Sequence, residues 1–230
     1  MSKVKIKIEA IHDVVCSWCP IGYSNLKTAL KRLENEVEAH ITYLPFELNP
    51  DMPEEGEAVA NYFKRRQRWS SATLKDYQES LVKTAQNAGV VIDFSKRTHY
   101  YNSRKAHKLI HWAEQFNKQT AVNESLIEAY FKQGLDISNT DVLLDIAEQL
   151  GMDRVSTQNA LSSRQLALVL EKKIERQKAF KLLSIPAFII NEDTLVFGSN
   201  SVEFLEKTLS EFISGLSLNK KSLFDSQIKR

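Results

Sequence analysis

Residues 12–33 read "HDVVCSWCPIGYSNLKTALKRL" and hold Cys16 and Cys19, the only cysteines in the 230-residue chain. Downstream of the pair, Leu26, Ala29, Leu30 and Leu33 recur at helical spacing, with Lys27, Lys31, Arg32 and Glu34 on the other face. Upstream, Val4, Ile6 and Ile8 oppose Lys3, Lys5 and Glu9 with the period of a strand. The cysteines therefore sit at a strand-to-helix junction. Two intervening residues at a helix start leave both sulfurs within disulfide reach. First-turn N–H groups and the helix dipole favour an anion at Cys16. Cys16 is expected to be the accessible nucleophilic thiolate, and Cys19, one turn in and more buried, the resolving thiol. A proline clashes with the carbonyl four residues back unless that residue lies outside regular helix. Pro20 thus places the expected helix start at about Cys16.

The same reading extends along the chain. "VEAHITYL" (residues 37–44) alternates and ends at Pro45, and "NPDMPEEGE" (residues 49–57) is a turn-rich break. Helical runs then follow around 57–69, 73–88, 103–117, 123–133, 139–150, 156–161 and 163–181, with no convincing strand among them. The glycines of "NAGV", "KQGLD" and "QLGMD" stand where helix C-caps are expected. "PAFIIN" (residues 186–191) and "LVFGS" (residues 195–199) form a hairpin across "EDT". An amphipathic helix over 201–214 uses Val202, Leu205, Leu209 and Phe212, and the rest is polar and basic. The order β-α-β, helical block, β-β-α predicts an α/β thioredoxin fold with a large all-helical insertion. Residues 1–50 and 182–215 make the discontinuous thioredoxin-like domain, 51–181 the insertion, and 216–230 a flexible basic tail.

Composition limits the function classes. Thirty-one Lys and Arg against 29 Asp and Glu leave a net charge of +2, which gives no reason to expect nucleic acid or a membrane as partner. "KRRQRW" (residues 64–69) reads as a solvated helix face, because no wider basic patch or stacking platform accompanies it. No apolar run approaches the ~20 residues of a membrane span. "MSKVKIKIEAIH" lacks a signal-peptide core and reads as a strand, so a cytoplasmic location with reduced thiols is expected. His107 and His111 complete a Cys₂His₂ inventory, yet they lie too far from the cysteines for a zinc finger, and no metal is expected.

"SIPAF" (residues 184–188) is the second chemical element. Pro186 opens the strand after the helical block, where thioredoxin folds carry a cis-proline against the CxxC. Ile185 before it would offer free backbone to an extended substrate. With "DVVCSWCPIG", "LPFELNPDMPEEG", "NSRKAHKLIHWA", "EAYFKQGLDISNTDVLLDIAEQLG" and "SIPAFIIN", the chain resembles the DsbA-like thioredoxin proteins, and within them the FrnE type of thiol-disulfide oxidoreductase. The resemblance spans about residues 5–214. It implies Cys16, Cys19 and Pro186 as catalytic residues, Trp18 and Ile185 as substrate contacts, and Ser17 and Asp13 as groups that shape the site. Disulfide-containing proteins or peptides would be the partners, with no metal or organic cofactor. The family usually carries Pro-Trp between the cysteines; here the pair is Ser17-Trp18, and that dipeptide helps set the reduction potential.

"FGSNS" (residues 197–201) resembles the stretch by which kappa-class glutathione transferases and hydroxychromene-carboxylate isomerases hold glutathione. A helix beginning at Ser199 or Asn200 would receive a carboxylate there. This makes glutathione a candidate co-substrate and a glutathione-dependent transferase or isomerase the alternative activity. A thiol-based sensor or chaperone is a third class. Those transferases and isomerases carry serine where Cys16 stands, so the Cys16–Cys19 pair is the feature that separates the classes.

Overall fold

The computed structural model describes residues 3–182 and 184–228, with side chains to residue 215. Strand β1 (Val4–His12), helix α1 (Cys19–Arg32) and strand β2 (Val37–Pro45) come first. A helical block follows: β3 (Glu57–Ala58), α2 (Val59–Gln67), α3 (Ser71–Asn87), β4 (His99–Tyr100), α4 (Arg104–Trp112), α5 (Gln119–Ile127), α6 (Thr140–Gln149), α7 (Arg154–Ser162) and α8 (Arg164–Lys178). A 3-10 turn (Ala113–Phe116) extends α4, and a π-helical turn (Glu128–Lys132) extends α5. Then come β5 (Ala187–Ile190), β6 (Thr194–Phe197) and α9 (Val202–Ile228).

The main sheet has the order β2-β1-β5-β6. β1 runs parallel to β2 from Val4↔Val37 to His12↔Pro45, and antiparallel to β5 from Ile8↔Ile190 to Ile11↔Ala187. With the helices, this is the expected thioredoxin fold. β1 alternates only at its start; from Ile8 to His12 every residue is buried, as in a central strand covered on both faces. Ile6, Ile8 and Ala10 join Leu26 of α1, its C-cap Leu33, and Leu205 and Leu209 of α9 in the larger core. Ile11 packs with Leu44, Ala187 and Ile189 in a second cluster. Glu9 corrects the sequence reading, which set it among the solvent-facing charges: it is 3% exposed. Arg176 of α8 holds both its oxygens, at 2.7 and 2.6 Å, because a buried carboxylate is tolerated only when paired.

Two further differences are local. The helical block contains the β3–β4 ladder, Glu57↔Tyr100 and Ala58↔His99, and two-residue strands are too short to show a period. α9 continues to Ile228, past the expected end at 214, so residues 216–228 of the expected flexible tail are helical; its last two residues, 229 and 230, lie outside the described residues. The glycines expected at helix C-caps, Gly89, Gly134 and Gly151, all have positive φ. Ser70, Asn139, Asp153 and Ser163 accept first-turn N–H groups. Gly134 has φ +73°, and a Cβ there would stand 2.2 Å from the Lys96 carbonyl oxygen. Among the described residues no helix is long and apolar enough to cross a membrane.

β1 ends in a buried histidine. The His12 ring lies edge-on to Tyr43 at 5.3 Å and to His107 at 5.6 Å, and its Nε2 has no hydrogen-bond partner. Burial, and then the charge of His107, push its pKa from 6.5 down to about 3, against the pull of Asp13. Between those values the unfolded chain binds a proton that the native state does not. Stability is therefore lost as pH falls below 6.5, by about 2 kcal/mol at pH 5. His12→Phe keeps the ring and removes the titration. Urea unfolding at pH 7 and pH 5 should show a smaller stability difference in this variant, by about that amount; an unchanged difference would put the acid sensitivity elsewhere.

Candidate active site

The loop between β1 and α1 is shaped by one missing donor. Pro20 has no N–H, so it cannot extend helical bonding back to Cys16. Instead Cys16 N donates to Asp13 O and Cys19 N to Cys16 O, both at 3.1 Å, and Gly22 N donates to Trp18 O at 3.0 Å. Helix α1 therefore begins at Cys19 with Trp18 as its N-cap. This corrects the expected start at Cys16, which stands in the turn before the helix. Both cysteines are free and buried, Cys16 at 7% exposure and Cys19 at 3%, so Cys16 is more enclosed than the sequence suggested. The Cys19 thiol is pushed well above its ordinary pKa by burial, then by its hydrogen bond with Cys16 and the charge there.

Ser17 is buried, while Trp18 keeps 38% of its surface exposed. Tyr77 of α3 reaches the same place. Burial, then the charge of Tyr100, raise its hydroxyl to about 12; the neighbouring Trp18 opposes this shift, and the Cys16 charge adds to it. The helical block thus supplies one wall of the site.

Asp13 is fully buried beneath the loop. Its carboxylate accepts from Leu48 N at 2.7 Å and from Val15 N at 3.3 Å. His107 Nε2 of α4 stands 3.4 Å from the same carboxylate and 3.1 Å from Phe46 O. From the other side, Arg97 Nη2 donates to Val15 O at 3.3 Å. No grouping of three or more His, Cys, Asp or Glu side chains among the described residues could hold a metal ion.

Pro186 completes the assembly. The Ile185–Pro186 peptide bond is cis. Asp13, Cys19 and Pro186, with His12 and Asn123, line a cavity of about 10 Å³, roughly the space of one water. Gly22 faces Pro186 so closely that a Cβ would lie 2.6 Å from Pro186 Cγ and 3.2 Å from Ser199 Cα. Ile185 is half-buried, and its backbone makes no hydrogen bond among the described residues.

The "FGSNS" stretch lies beside this assembly, with Asn200 and Ser201 bonded within the turn and to α1. Asn200 Nδ2 donates back to Phe197 O at 2.6 Å, and Asn25 Nδ2 donates to Asn200 O at 2.8 Å. Ser201 Oγ accepts from Phe204 N at 3.2 Å, so α9 is capped there and starts at Val202, one residue after the expected 201 and two or three past the Ser199 or Asn200 start that a carboxylate site needed. The site thus brings together Asp13, Cys16, Ser17, Trp18, Cys19, Ile185 and Pro186, with Ser199 packed alongside. Sequence reasoning missed Arg97, Tyr77 and the link from His107 to Asp13. A lone arginine or tyrosine in a helical block carries no local signal of what it meets in space.

Comparisons with known proteins agree with this architecture. The chain is 27% identical over 207 residues to the uncharacterized protein YwbO of Bacillus subtilis (strain 168), covering 90% of this chain and 96% of that one. The crystal structure of a probable DsbA oxidoreductase from Streptomyces coelicolor superposes with a TM-score of 0.83 at 18% identity, over 91% of this chain and 90% of that one. A 2-hydroxychromene-2-carboxylate isomerase superposes with a TM-score of 0.68 at 16% identity, over 92% and 98% of the two chains. Both structures share the fold. Residues 7–210 match the model of the DSBA-like thioredoxin domain, and the chain belongs to that family.

Proposed function

We propose that this protein is a thiol–disulfide oxidoreductase acting on disulfides of proteins or peptides, with Cys16 as the attacking and Cys19 as the resolving thiol. The observation that carries the reading is a pair of free, buried thiols two residues apart, Cys16 in the turn before α1 and Cys19 at its first residue, with Cys19 facing Pro186 across a small cavity. In the first step Cys16 Sγ, as thiolate, attacks one sulfur of the substrate disulfide and expels the other as a thiolate. In the second, Cys19 Sγ gives up its proton, attacks Cys16 Sγ and expels the second substrate thiolate. The substrate gains two electrons and the enzyme is left as the Cys16–Cys19 disulfide. A low-molecular-weight thiol such as glutathione, or a dithiol protein, returns the two electrons. A cytoplasmic setting, where thiols are kept reduced, favours this direction.

The electrostatics order the two steps. The charge on Cys16 is one of the causes that hold the Cys19 proton in place. Forming the mixed disulfide removes that charge and eases deprotonation of Cys19 when it is needed. The unpaired backbone of Ile185 and the exposed Trp18 suit an extended peptide laid beside Pro186. A glutathione-dependent transferase or isomerase has less support, because the Asn200 side chain is bonded to its own loop and two thiols stand in the site.

The full chain should reduce insulin disulfides with glutathione or dithiothreitol as electron donor. Cys16→Ser should fall to the uncatalysed rate. Cys19→Ser should instead accumulate a mixed disulfide with substrate, visible on non-reducing gels. Iodoacetamide near neutral pH should alkylate Cys16 before Cys19. Retained turnover in Cys16→Ser, or Cys19 reacting first, would overturn the assignment of roles.

Gly22→Ala tests the contact between α1 and the Pro186 loop. Its Cβ meets a proline ring and a backbone atom, neither of which yields cheaply. The loop must shift away from the thiols, and insulin reduction should fall about tenfold, equivalent to ~1.4 kcal/mol in the barrier. Far-UV circular dichroism should stay near wild type. An unaltered rate would mean that the Pro186 loop does not position substrate.

A further inference from the structure

Arg97 is among the largest fully buried side chains of the protein, at 1% exposure, yet no carboxylate among the described residues lies within ion-pair distance of it. Arginine keeps its charge at any accessible pH, and such a group is normally buried only with a counter-ion. Here four aromatic rings surround the guanidinium carbon: Tyr100 at 4.3 Å, Tyr130 at 4.9 Å, Phe131 at 5.4 Å and Phe94 at 5.5 Å. Their faces attract the cation. The cage is closed by its own bonds. Asp93 N donates to Phe131 O at 2.8 Å, and Tyr130 Oη donates to His99 O at 2.9 Å. Tyr130 and Phe131 belong to the π-helical turn after α5.

A cage of this kind would hold a methionine or leucine at less cost than a cation, since replacing buried charges with apolar groups is often neutral or stabilising. What the charge adds lies at the guanidinium's tip. Nε and Nη1 have no hydrogen-bond partner, and Nη2 spends its bond on Val15 O, the carbonyl directly preceding Cys16. Peptide geometry then keeps Nη2 within about 9 Å of Cys16 Sγ. Across protein interior rather than water, a charge at that range is felt. The other titratable groups facing the loop are Asp13, paired with His107 from α4, Cys19 of α1, and Tyr77 of α3.

The two redox states differ in what they offer this cation. The disulfide is neutral. Its reduction by two glutathione molecules yields glutathione disulfide and the two thiols, of which Cys16 gives up its proton where it serves as the nucleophile of the proposed mechanism. A fixed positive charge interacts favourably with the second state alone. We propose that Arg97 is a positioning residue of the Cys16–Cys19 pair, orienting the Val15–Cys16 peptide and favouring the reduced form by its charge, so that the potential of the pair is raised. The proposal rests on the thiol–disulfide reading of the site.

The test is equilibration of the full chain with glutathione buffers of graded ratio at pH 7, followed by acid quench and counting of alkylated thiols. Arg97→Met fills the cage without charge, Arg97→Gln keeps an N–H for Val15 O without charge, and Arg97→Lys keeps the charge. Met and Gln should each shift the equilibrium about tenfold toward the disulfide, which is ~30 mV for a two-electron couple. Lys should stay within about threefold of wild type. Thermal melts identify which variants are folded, and if Arg97→Met is not, the Gln and Lys pair decides the matter. A folded neutral variant with the wild-type potential overturns the proposal and leaves Arg97 as a structural cation. A Lys variant shifted as far as the neutral ones overturns the role of charge. Failure of the wild-type pair to form a disulfide at any glutathione ratio would instead remove the oxidoreductase reading itself.

Discussion

The Asp13 carboxylate is the constraint on which the site depends. It is fully buried just after β1 and joins three segments: the CxxC loop through Val15 N, the stretch after β2 through Leu48 N, and α4 through His107. Removing it would leave two N–H groups and an imidazole without that acceptor in a dry interior, at about 1–3 kcal/mol for each group left unpaired. Arg97 holds the same loop from the opposite direction through Val15 O. The thiols are thus carried by a backbone clamped between a buried anion and a buried cation, both supplied with partners only by the tertiary fold.

The other half of the site is carried by the sheet. Gly198 N donates to Pro186 O at 2.7 Å, and Asn25 of α1 bonds the carbonyl of Asn200, so the Pro186 loop, the turn into α9 and α1 are tied to one another. Gly22 allows that close approach because it has no side chain. The helical block, which interrupts the thioredoxin-like strands in sequence, contributes Tyr77, Arg97 and His107 to the walls and floor. It is as much a part of the site as the strand and helix that present the cysteines.

This division explains how one scaffold serves different chemistries. The protein shares its fold with an oxidoreductase and with an isomerase. Fold alone does not choose between them. In this chain positions 16 and 19 carry two free thiols, with the buried Asp13 and Arg97 bonded to the backbone between β1 and Cys16.

Much of this was legible in the amino-acid order, because it depends on neighbours along the chain. Periods of two and of 3.6 located β1, β2 and the helices; the CxxC spacing put both cysteines at the β1–α1 junction; Pro186 marked the facing loop. Terminal details escaped for physical reasons. α1 starts at Cys19 rather than Cys16 because Pro20 lacks a donor, and Glu9 is buried because Arg176, 167 residues later, neutralises it. What only the tertiary structure decided is which charges are buried and against what. Arg97 meets Val15 across 82 residues, and His107 meets Asp13 from another helix. The free energy of a buried charge is set by partners brought together in space, and no local pattern in the sequence records them.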